Sequence, residues 1–267
     1  MVGGKHIMPD RSSQSSRGKK GGRKYQQSKG PSLESGDWGV FVTCDIGKEG
    51  KCIAETQDVF SQYIEATAPP AEEEDTDSDD GDIEAQIRKE LEGLKPSAAK
   101  PRSMQPIRFD MPCVTFMRLD KSIDPVQLVH RLCTEAQANP TTKTSRWIQR
   151  MTPVTEIRKT LRVDLAEFAK EILAPHFHSG GPPKKYAIRP TIRGNEKFGR
   201  DVVIKTIADV VGKEHPVDLT NYDLVILVTV LQNVIGMSVV GSDYDQLKRY
   251  NLAEIYAPTA KPKSGEN

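Results

Sequence analysis

Apolar and polar residues alternate most regularly in the ten residues from Lys184 to Arg193. Successive side chains of a strand point to opposite faces, so the alternation predicts a strand with two unlike surfaces. The apolar face consists of Tyr186, Ile188, Pro190 and Ile192. The basic face consists of Lys185, Ala187, Arg189, Thr191 and Arg193. The first face can be buried. On the second face successive side chains lie about 7 Å apart, and the three cations among them suit the phosphates of a nucleic-acid backbone.

The spacing of apolar residues predicts further elements on both sides of this basic strand. A helix is predicted at Arg200–Val211, where valines and isoleucines form one stripe. The run Leu224–Val228 does not alternate, which is typical of a central strand covered on both faces. The remaining predictions are a strand at Arg146–Met151, a helix at Leu161–Leu173, a loop at Pro175–Pro183, and strands at Tyr222–Val230 and Val234–Val240. Together they predict one sheet module over residues 146–257.

A second module is predicted over residues 36–145. Asp124 and Pro125 indicate a helix start, because Asp is a favoured N-cap and Pro suits the first helical position. The other predicted elements are a strand at Gly39–Thr43, a helix at Lys51–Ala66 and a strand at Cys113–Leu119. Helices mixed with strands in both parallel and hairpin connection indicate an α/β (α+β) fold. We expect the N-terminal module to be of the ferredoxin-like type.

Three stretches contain too few apolar residues to bury a core and are predicted to be disordered. They are a basic arm at 1–35, an insert at about 67–103, and a tail at 258–267. The insert includes nine acids among the thirteen residues from Glu72 to Glu84, which would repel one another. The arm includes Gly18–Lys24, which is either a nuclear import signal or part of a solvated tail.

The formal net charge of +1 hides a segregation of charge along the chain. Residues 1–30 contain eight Lys or Arg and one acid, and residues 31–100 contain six against eighteen acids. Residues 101–267 contain twenty-four against eighteen. The basic first and last segments therefore favour an anionic partner, which the net charge alone would not indicate.

The cysteines and the apolar runs exclude several classes of protein. Cys44, Cys52, Cys113 and Cys133 form no CxxC pair, so reduced thiols in a nucleocytoplasmic protein are expected. The N-terminus is basic and lacks the apolar segment of a secretory signal. The longest apolar run, Leu224–Val228, is far too short to span a bilayer, so no membrane association is expected.

Several separated blocks, in the correct order, resemble parts of a known RNA-binding domain. They are Arg146–Val154, Tyr186–Ile188 with Arg193 and Arg200, Val217–Asn221, Ile235–Val240, and the tail Arg249–Tyr256. These blocks resemble the opening strand, basic strand and closing strands of a THUMP domain. Together with Val42–Cys52 in the first module, they resemble the eukaryotic THUMP-domain adaptors of tRNA acetylation. This chain has Thr229 where the domain often has Glu, a departure that bears on strand pairing.

The resemblance implies a function and two partners. Adaptors of that family help a separate RNA cytidine acetyltransferase to make N4-acetylcytidine in the D-arm of serine and leucine tRNAs. We therefore expect tRNA and an RNA cytidine acetyltransferase as partners, no cofactor or small-molecule substrate, and a nuclear or nucleolar location.

The candidate RNA contacts lie in a basic stretch. From Lys143 to Lys205 there are fourteen Lys or Arg and six acids. Arg200 follows Gly199 at a predicted helix start, where free backbone N–H groups favour a phosphate. The predicted RNA-binding residues are Arg146, Arg150, Lys185, Arg189, Arg193, Lys197, Arg200 and Lys205. Trp147 and Tyr186 could stack on bases, although both fall in apolar sets that favour core packing.

No catalytic or metal site is predicted. His176 and His178 lack a third ligand nearby, and a nucleophile formed by His130, Cys133 and Asp110 is less expected than a buried structural cysteine. No phosphate loop or dinucleotide fingerprint is visible, so the chain is expected not to be an enzyme. Two alternatives remain open, namely an RNA-modifying enzyme with an irregular site and an acidic-tract chaperone of basic nuclear proteins.

Overall fold

The computed structural model describes Met1, Gly3 and residues 31–65, 103–108 and 110–257. The described elements, in chain order, are β1 (Gly39–Thr43), α1 (Glu49–Glu65), β2 (Met104–Arg108), β3 (Val114–Leu119), α2 (Pro125–Ala138), β4 (Met151–Val154), β5 (Glu156–Lys159), α3 (Leu165–Phe177), β6 (Tyr186–Arg193), α4 (Arg200–Val211), β7 (Leu224–Leu231), β8 (Val234–Gly241), a short turn at Lys248–Tyr250, and α5 (Leu252–Ile255). The predicted acidic insert, the C-terminal tail and most of the basic arm lie outside these residues.

The first sheet has the strand order β2-β3-β1-β4, and each neighbouring pair is antiparallel. With α1 between β1 and β2 and α2 between β3 and β4, the chain follows a βαββαβ path. This is the ferredoxin-like arrangement. The expected fold of the N-terminal module is therefore confirmed. Asp124 caps α2 through bonds from the backbone N–H groups of Val126 and Gln127, and Pro125 is the first helical residue.

The strand predicted at Arg146–Met151 is displaced toward the C-terminus. It occupies Met151–Val154 and pairs with β1, so it completes the first sheet. The carboxylate of Glu55 accepts hydrogen bonds from the backbone N–H groups of Arg146, Trp147 and Ile148. Amides that donate to a side chain cannot also form a strand ladder, which explains why pairing begins later.

Both short strands that the sequence analysis missed are edge strands. β2 contains Pro106, which cannot donate to a ladder but is tolerated at the edge of a sheet. β5 has four residues and pairs only with β8 among the described strands. Order also begins earlier than expected, because Leu33 of the predicted arm is buried in the same apolar cluster as Phe41 and Val154. Residues 31–35 are thus part of the folded unit.

The second sheet has the order β5-β8-β7-β6, with β6 parallel to β7 and β7 antiparallel to β8. The predicted basic strand is confirmed as β6, and the helix at Arg200–Val211 is found at the predicted bounds. Thr229 pairs in register with Thr191 on one side and Gly236 on the other. Its departure from the family pattern therefore leaves the strand pairing intact.

Helix α3 begins and ends four residues later than predicted. Asp164 accepts hydrogen bonds from the backbone N–H groups of Ala166 and Glu167 and so fixes the start at Leu165. The helix continues through Pro175 to Phe177. The proline was expected to begin a loop, but it lies in the last turn, where one missing N–H interrupts little of the helix.

Strand β7 is covered on both faces, as its uninterrupted apolar run predicted. Ile226 and Val228 belong to the cluster under α3 and α4, whereas Val225 and Leu227 belong to the cluster that includes α1 and α2. The two sheets also meet at Gly236, where an added Cβ would lie 2.6 Å from Val154. No described helix is both long enough and apolar enough to cross a membrane.

Candidate nucleic-acid interface

The eight predicted RNA-binding residues are all described by the structure, but they do not form one continuous face. Arg150 and Arg189 are half-buried, and the other six are exposed. Arg150 comes from the loop before β4, whereas Arg189 and Arg193 come from β6. These residues differ mainly in whether the protein itself already occupies their hydrogen-bond donors.

Arg150 and Arg193 line a cleft of about 590 Å³ between the end of the first sheet and the second sheet. The uncharged polar residues that line it are Thr43, Gln149, Thr152, Thr191, Thr229 and Asn251. Asp45 is the only carboxylate among the lining residues. Two guanidinium groups with hydroxyl and amide groups around them suit an anionic ligand such as a phosphate.

The backbone of Arg150 is fixed on both sides. Its N–H donates to Thr43 Oγ1 at 3.0 Å, and its carbonyl accepts from the N–H of Thr43 at 2.9 Å. Its guanidinium lies 4.0 Å from the carboxylate of Glu254, which is a loose ion pair. Its buried Nε has no hydrogen-bond partner in the described chain. A buried charged donor without a partner is costly, so Arg150 has donor capacity available for a ligand.

Arg189 is held more tightly than the alternation suggested. Its Nη2 donates to the carbonyl of Leu219 at 3.0 Å and lies 3.5 Å from Asp245 Oδ2. Asp245 also accepts from Tyr222 Oη at 2.8 Å and from Arg249 Nε at 2.7 Å. The face of β6 that was predicted to be basic also carries Ala187, which is fully buried against the first module. Within β6, only Thr191 and Arg193 at the end of that face are exposed.

Nearby arginines shift the pKa values of Tyr244 and Asp245. Burial raises the pKa of Tyr244, and the charges of Arg150, Arg249 and Arg189 act in the opposite direction. Burial would also raise the pKa of Asp245, but hydrogen bonds from Arg249 and Tyr222 outweigh it and lower that pKa. Three arginines therefore lie near one phenol, and one ionised carboxylate partly neutralises them.

Arg249 and Asp245 are not among the predicted RNA-binding residues. Lys248, Arg249 and Tyr250 all have positive φ values, between 52° and 57°. Non-glycine residues rarely adopt this left-handed conformation, which costs about 1–2 kcal/mol each. Backbone bonds such as Arg249 N–H to the Tyr244 carbonyl, at 2.8 Å, hold the turn. The i,i+4 spacing of Asp245 and Arg249 was the one available signal, and it resembled an ordinary surface pair.

Lys197 and Arg200 donate to backbone carbonyls instead. Lys197 Nζ donates to the carbonyl of Thr160, and Arg200 Nη1 donates to the carbonyl of Pro190 at 3.1 Å. Gly199 is the N-cap of α4, as predicted, and provides no side-chain cap. Lys185 forms an ion pair with Asp218 at 3.3 Å. Lys205 is exposed on α4, away from the cleft lining.

Residues 163–240 match the family model of the THUMP domain. A protein of Schizosaccharomyces pombe that is named only as uncharacterized is 36% identical over 238 residues, covering 88% of this chain and 81% of its own length. The tRNA acetyltransferase TAN1 of Saccharomyces cerevisiae is 30% identical over 259 residues, covering 88% and 89%. The mouse THUMP domain-containing protein 1 is 32% identical over 236 residues, covering 84% and 65%.

This chain belongs to the THUMP domain family that includes TAN1. The family resemblance inferred from separated sequence blocks is thereby confirmed. The THUMP match begins at residue 163, so the block Arg146–Val154 lies before it. In the fold, the end of this block is β4 of the first sheet and does not open the second. The block Val217–Asn221 is a loop in which Val217 forms an isolated bridge with Tyr186.

The nucleophile considered for this THUMP-family chain is not assembled. Cys133 is fully buried, and burial raises its pKa to about 12, which disfavours a thiolate. His130 pairs with Asp243 at 2.6 Å, not with Asp110. Burial lowers the pKa of His176, and Lys184 adds to this shift. No group of three His, Cys, Asp or Glu suited to a metal occurs among the described residues.

Proposed function

We propose that the chain is a non-catalytic tRNA-binding adaptor that presents serine- and leucine-type tRNAs to a separate RNA cytidine acetyltransferase. The observation that carries the proposal is the cleft, where Arg150 and Arg193 face one space from two different sheets. A backbone phosphate can bridge two such guanidinium groups. Adjacent hydroxyl and amide groups can then bind neighbouring oxygens of the same ligand.

The charge of the cleft supports an RNA ligand over a small neutral one. Arg193 is exposed and forms no ion pair in the described part of the chain, and Arg150 retains an unpartnered buried donor. Binding of RNA here would be sequence-tolerant, because arginine–phosphate contacts fix position and carry no base information. Selection among tRNAs would then depend on their shape or on contacts elsewhere.

TAN1 is named a tRNA acetyltransferase, which favours an alternative in which the chain transfers the acetyl group itself. Against it stand the burial of Cys133 and the pairing of His130 with Asp243. An adaptor would act by raising the local concentration of tRNA at another active site, since linked weak contacts bind far more tightly than either alone.

The experiment combines a serine tRNA transcript, acetyl-coenzyme A and a purified RNA cytidine acetyltransferase with or without this chain. N4-acetylcytidine is then measured by mass spectrometry of nucleosides. We expect product only when both proteins are present, and little when R150E/R193E replaces the wild type. K170E/K213E, at an exposed lysine of α3 and another just after α4, is the charge-matched control. Product formed by the chain without the acetyltransferase would overturn the adaptor proposal in favour of the enzyme.

A nuclear location is the remaining part of the proposal. It rests on the basic segment Gly18–Lys24, which lies outside the described residues. Replacing Lys19, Lys20, Arg23 and Lys24 by Ala in a fluorescently tagged protein should move it out of the nucleus. An unchanged nuclear signal would contradict this use of the segment.

A further inference from the structure

Trp147 lies at the centre of a cluster of cations in the first module. The guanidinium carbon of Arg146 is 4.8 Å from the centre of its ring, Lys51 Nζ is 4.9 Å away, and Lys48 Nζ is 5.4 Å away. The apolar residues around Trp147 in the sequence favour core packing, yet Trp147 is only half-buried. Cations interact favourably with the face of an indole, so the ring gathers three positive charges at one surface.

The nearby carboxylates accept hydrogen bonds from neutral groups and are not paired with this cluster. Glu55 accepts from the Ser145 hydroxyl and from the backbone N–H groups that follow it. Asp45 accepts from the side-chain amide of Gln149, and Glu49 accepts from the N–H of Cys113. In the described part of the chain, none of the three cations around Trp147 forms an ion pair with a carboxylate.

This arrangement is unfavourable for the free protein. Each of the three charges lies within 5.4 Å of one point, so any two are at most about 11 Å apart. At about that separation salt screens exposed charges only partly, and like charges repel. The contact with the indole offsets some of this repulsion. A polyanion placed over the cluster would relieve the remainder.

We propose that Lys48, Lys51 and Arg146, gathered around Trp147, form a second phosphate-binding contact for RNA. We call this group the Trp147 patch. The inference rests on the proposed function, because it assigns to the same tRNA a contact outside the cleft. Lys48 directly precedes α1, Lys51 lies in its first turn, and Arg146 lies in the loop before β4, so the patch adds the ferredoxin-like module to the RNA-binding surface.

The Trp147 patch and the cleft are close enough to bind one RNA strand. Arg146 and Arg150 are four residues apart, so their Cα atoms are at most about 14 Å apart. Asp45 and Ile46 also line the cleft, and in the chain they lie shortly before Lys48 of the patch. A backbone that leaves the cleft at Arg150 would therefore pass the patch within a few phosphates.

The chain contains a matched control for the patch in its other tryptophan. Lys121 Nζ lies 4.8 Å from the ring of Trp38 and also donates to the carbonyl of Gly36. Among the described residues, Lys121 is the one cation over that ring, and the indole N–H of Trp38 donates to the carbonyl of Ile123 at 2.7 Å. Trp38 precedes β1, whereas the cleft lies at the other end of that strand.

The first test compares K48E/K51E with R150E/R193E, and the single variant K51E with the charge-matched K121E. The affinity for a serine tRNA transcript is measured at several salt concentrations. We expect K48E/K51E to lose tenfold or more in affinity and to flatten the slope of log K against log salt by about 2. K121E should stay within twofold of wild type. Thermal melting of each variant identifies any loss caused by unfolding, and Lys48→Gln with Lys51→Gln provides a milder pair.

The outcomes separate the inference from the proposed function. Full affinity in both K48E/K51E and K48Q/K51Q, together with a loss in R150E/R193E, would overturn the patch and leave the adaptor proposal standing. Full affinity in all these variants would overturn both. Retained tRNA affinity in K48E/K51E with loss of acetyltransferase binding would assign the patch to a protein and also overturn the inference.

A second test uses the fact that the chain has two tryptophans. In Trp38→Phe, the remaining emission comes from Trp147, and we expect saturating tRNA to change its intensity or wavelength. In Trp147→Phe, the emission of Trp38 should change little. A Trp147 emission that is unaffected at saturation would contradict the proposed contact.

Discussion

Arg150 and Arg193 differ from Lys197 and Arg200 in what their donors already contact. The first pair faces the cleft, and neither residue donates from its side chain to a backbone carbonyl among the described contacts. The second pair donates to the carbonyls of Thr160 and Pro190. All four residues looked equivalent in the sequence, as members of one basic stretch. The structure indicates that the first pair is available to a ligand and that the second pair supports the fold.

The difference shows that counting charge is a poor guide to a binding surface. A cation that is hydrogen-bonded to a carbonyl must give up that bond before it can contact a phosphate fully. Lys197 and Arg200 still contribute to the long-range field, which falls off with salt. They should therefore affect RNA affinity less than the cleft arginines.

The largest expected effect is on RNA affinity. Arg150→Ala and Arg193→Ala should each weaken binding of a serine tRNA transcript by about tenfold or more, because each loses a charge-assisted hydrogen bond. Each should also flatten the salt slope by about 0.9. Lys197→Ala and Arg200→Ala serve as controls, with smaller losses of affinity. Equal losses across all four variants would break the distinction between the two pairs.

A smaller effect is expected on stability, and in the opposite order. Lys197→Ala and Arg200→Ala should each lower the free energy of unfolding by about 0.5–1 kcal/mol, because each removes a hydrogen bond to a carbonyl. Arg193→Ala should change it by less than about 0.5 kcal/mol. Urea denaturation monitored by circular dichroism measures both. A larger loss for Arg193→Ala than for Arg200→Ala would reverse our assignment of the two roles.

The smallest effect concerns Asp245, whose carboxylate pairs with Arg189 and Arg249. These two arginines are therefore intermediate between the cleft arginines and the cations that donate to backbone carbonyls. Asp245→Asn should free these arginines and increase the salt slope of tRNA binding by a few tenths, less than the change for a cleft arginine. It should also destabilise the fold. Since folding lowers the pKa of Asp245 below its ordinary value of 3.8, the carboxylate stabilises the fold above that pH. That stabilisation is lost as the pH falls through the folded pKa.

The free energies of unfolding of wild type and Asp245→Asn should therefore differ by a constant amount from neutral pH down to about pH 5. This difference should shrink below about pH 4. Asp209→Asn, an exposed acid on α4, is the control for the change in net charge. A difference that instead grows on acidification would contradict the ion-pair role of Asp245.

Local rules predicted much of the fold. The cap and proline at Asp124–Pro125 fixed the start of α2, and the alternation from Lys184 to Arg193 identified β6. The strand before Pro153 was misplaced because its amides bind Glu55, which is about ninety residues earlier in the chain. Hydrogen bonds between a side chain and a distant loop leave no periodic pattern in the sequence. Short edge strands such as β2 were missed for a related reason, because the pairing that defines them is not local.

The candidate site was predicted less completely. Alternation placed Arg193 correctly on an open face, but it could not reveal that Ala187 on the same face is buried. It also could not reveal that Arg189 is paired with Asp245, fifty-six residues later. The cations around Trp147 come from the start of α1, the residue before it, and a loop almost a hundred residues away. Only the packing of the first sheet brings them together.

The hydrogen bond from Arg200 to Pro190 has a consequence for solubility. β6 is the last strand of its sheet, and an unprotected edge strand is a template for aggregation with other chains. At Tyr186 the edge is already occupied, because its N–H and carbonyl bind Pro216 and Asp218. At Pro190 it offers no N–H, and the carbonyl is covered by Arg200. The edge is thus interrupted at two points along eight residues, so a strand from a second molecule cannot form a continuous ladder against it.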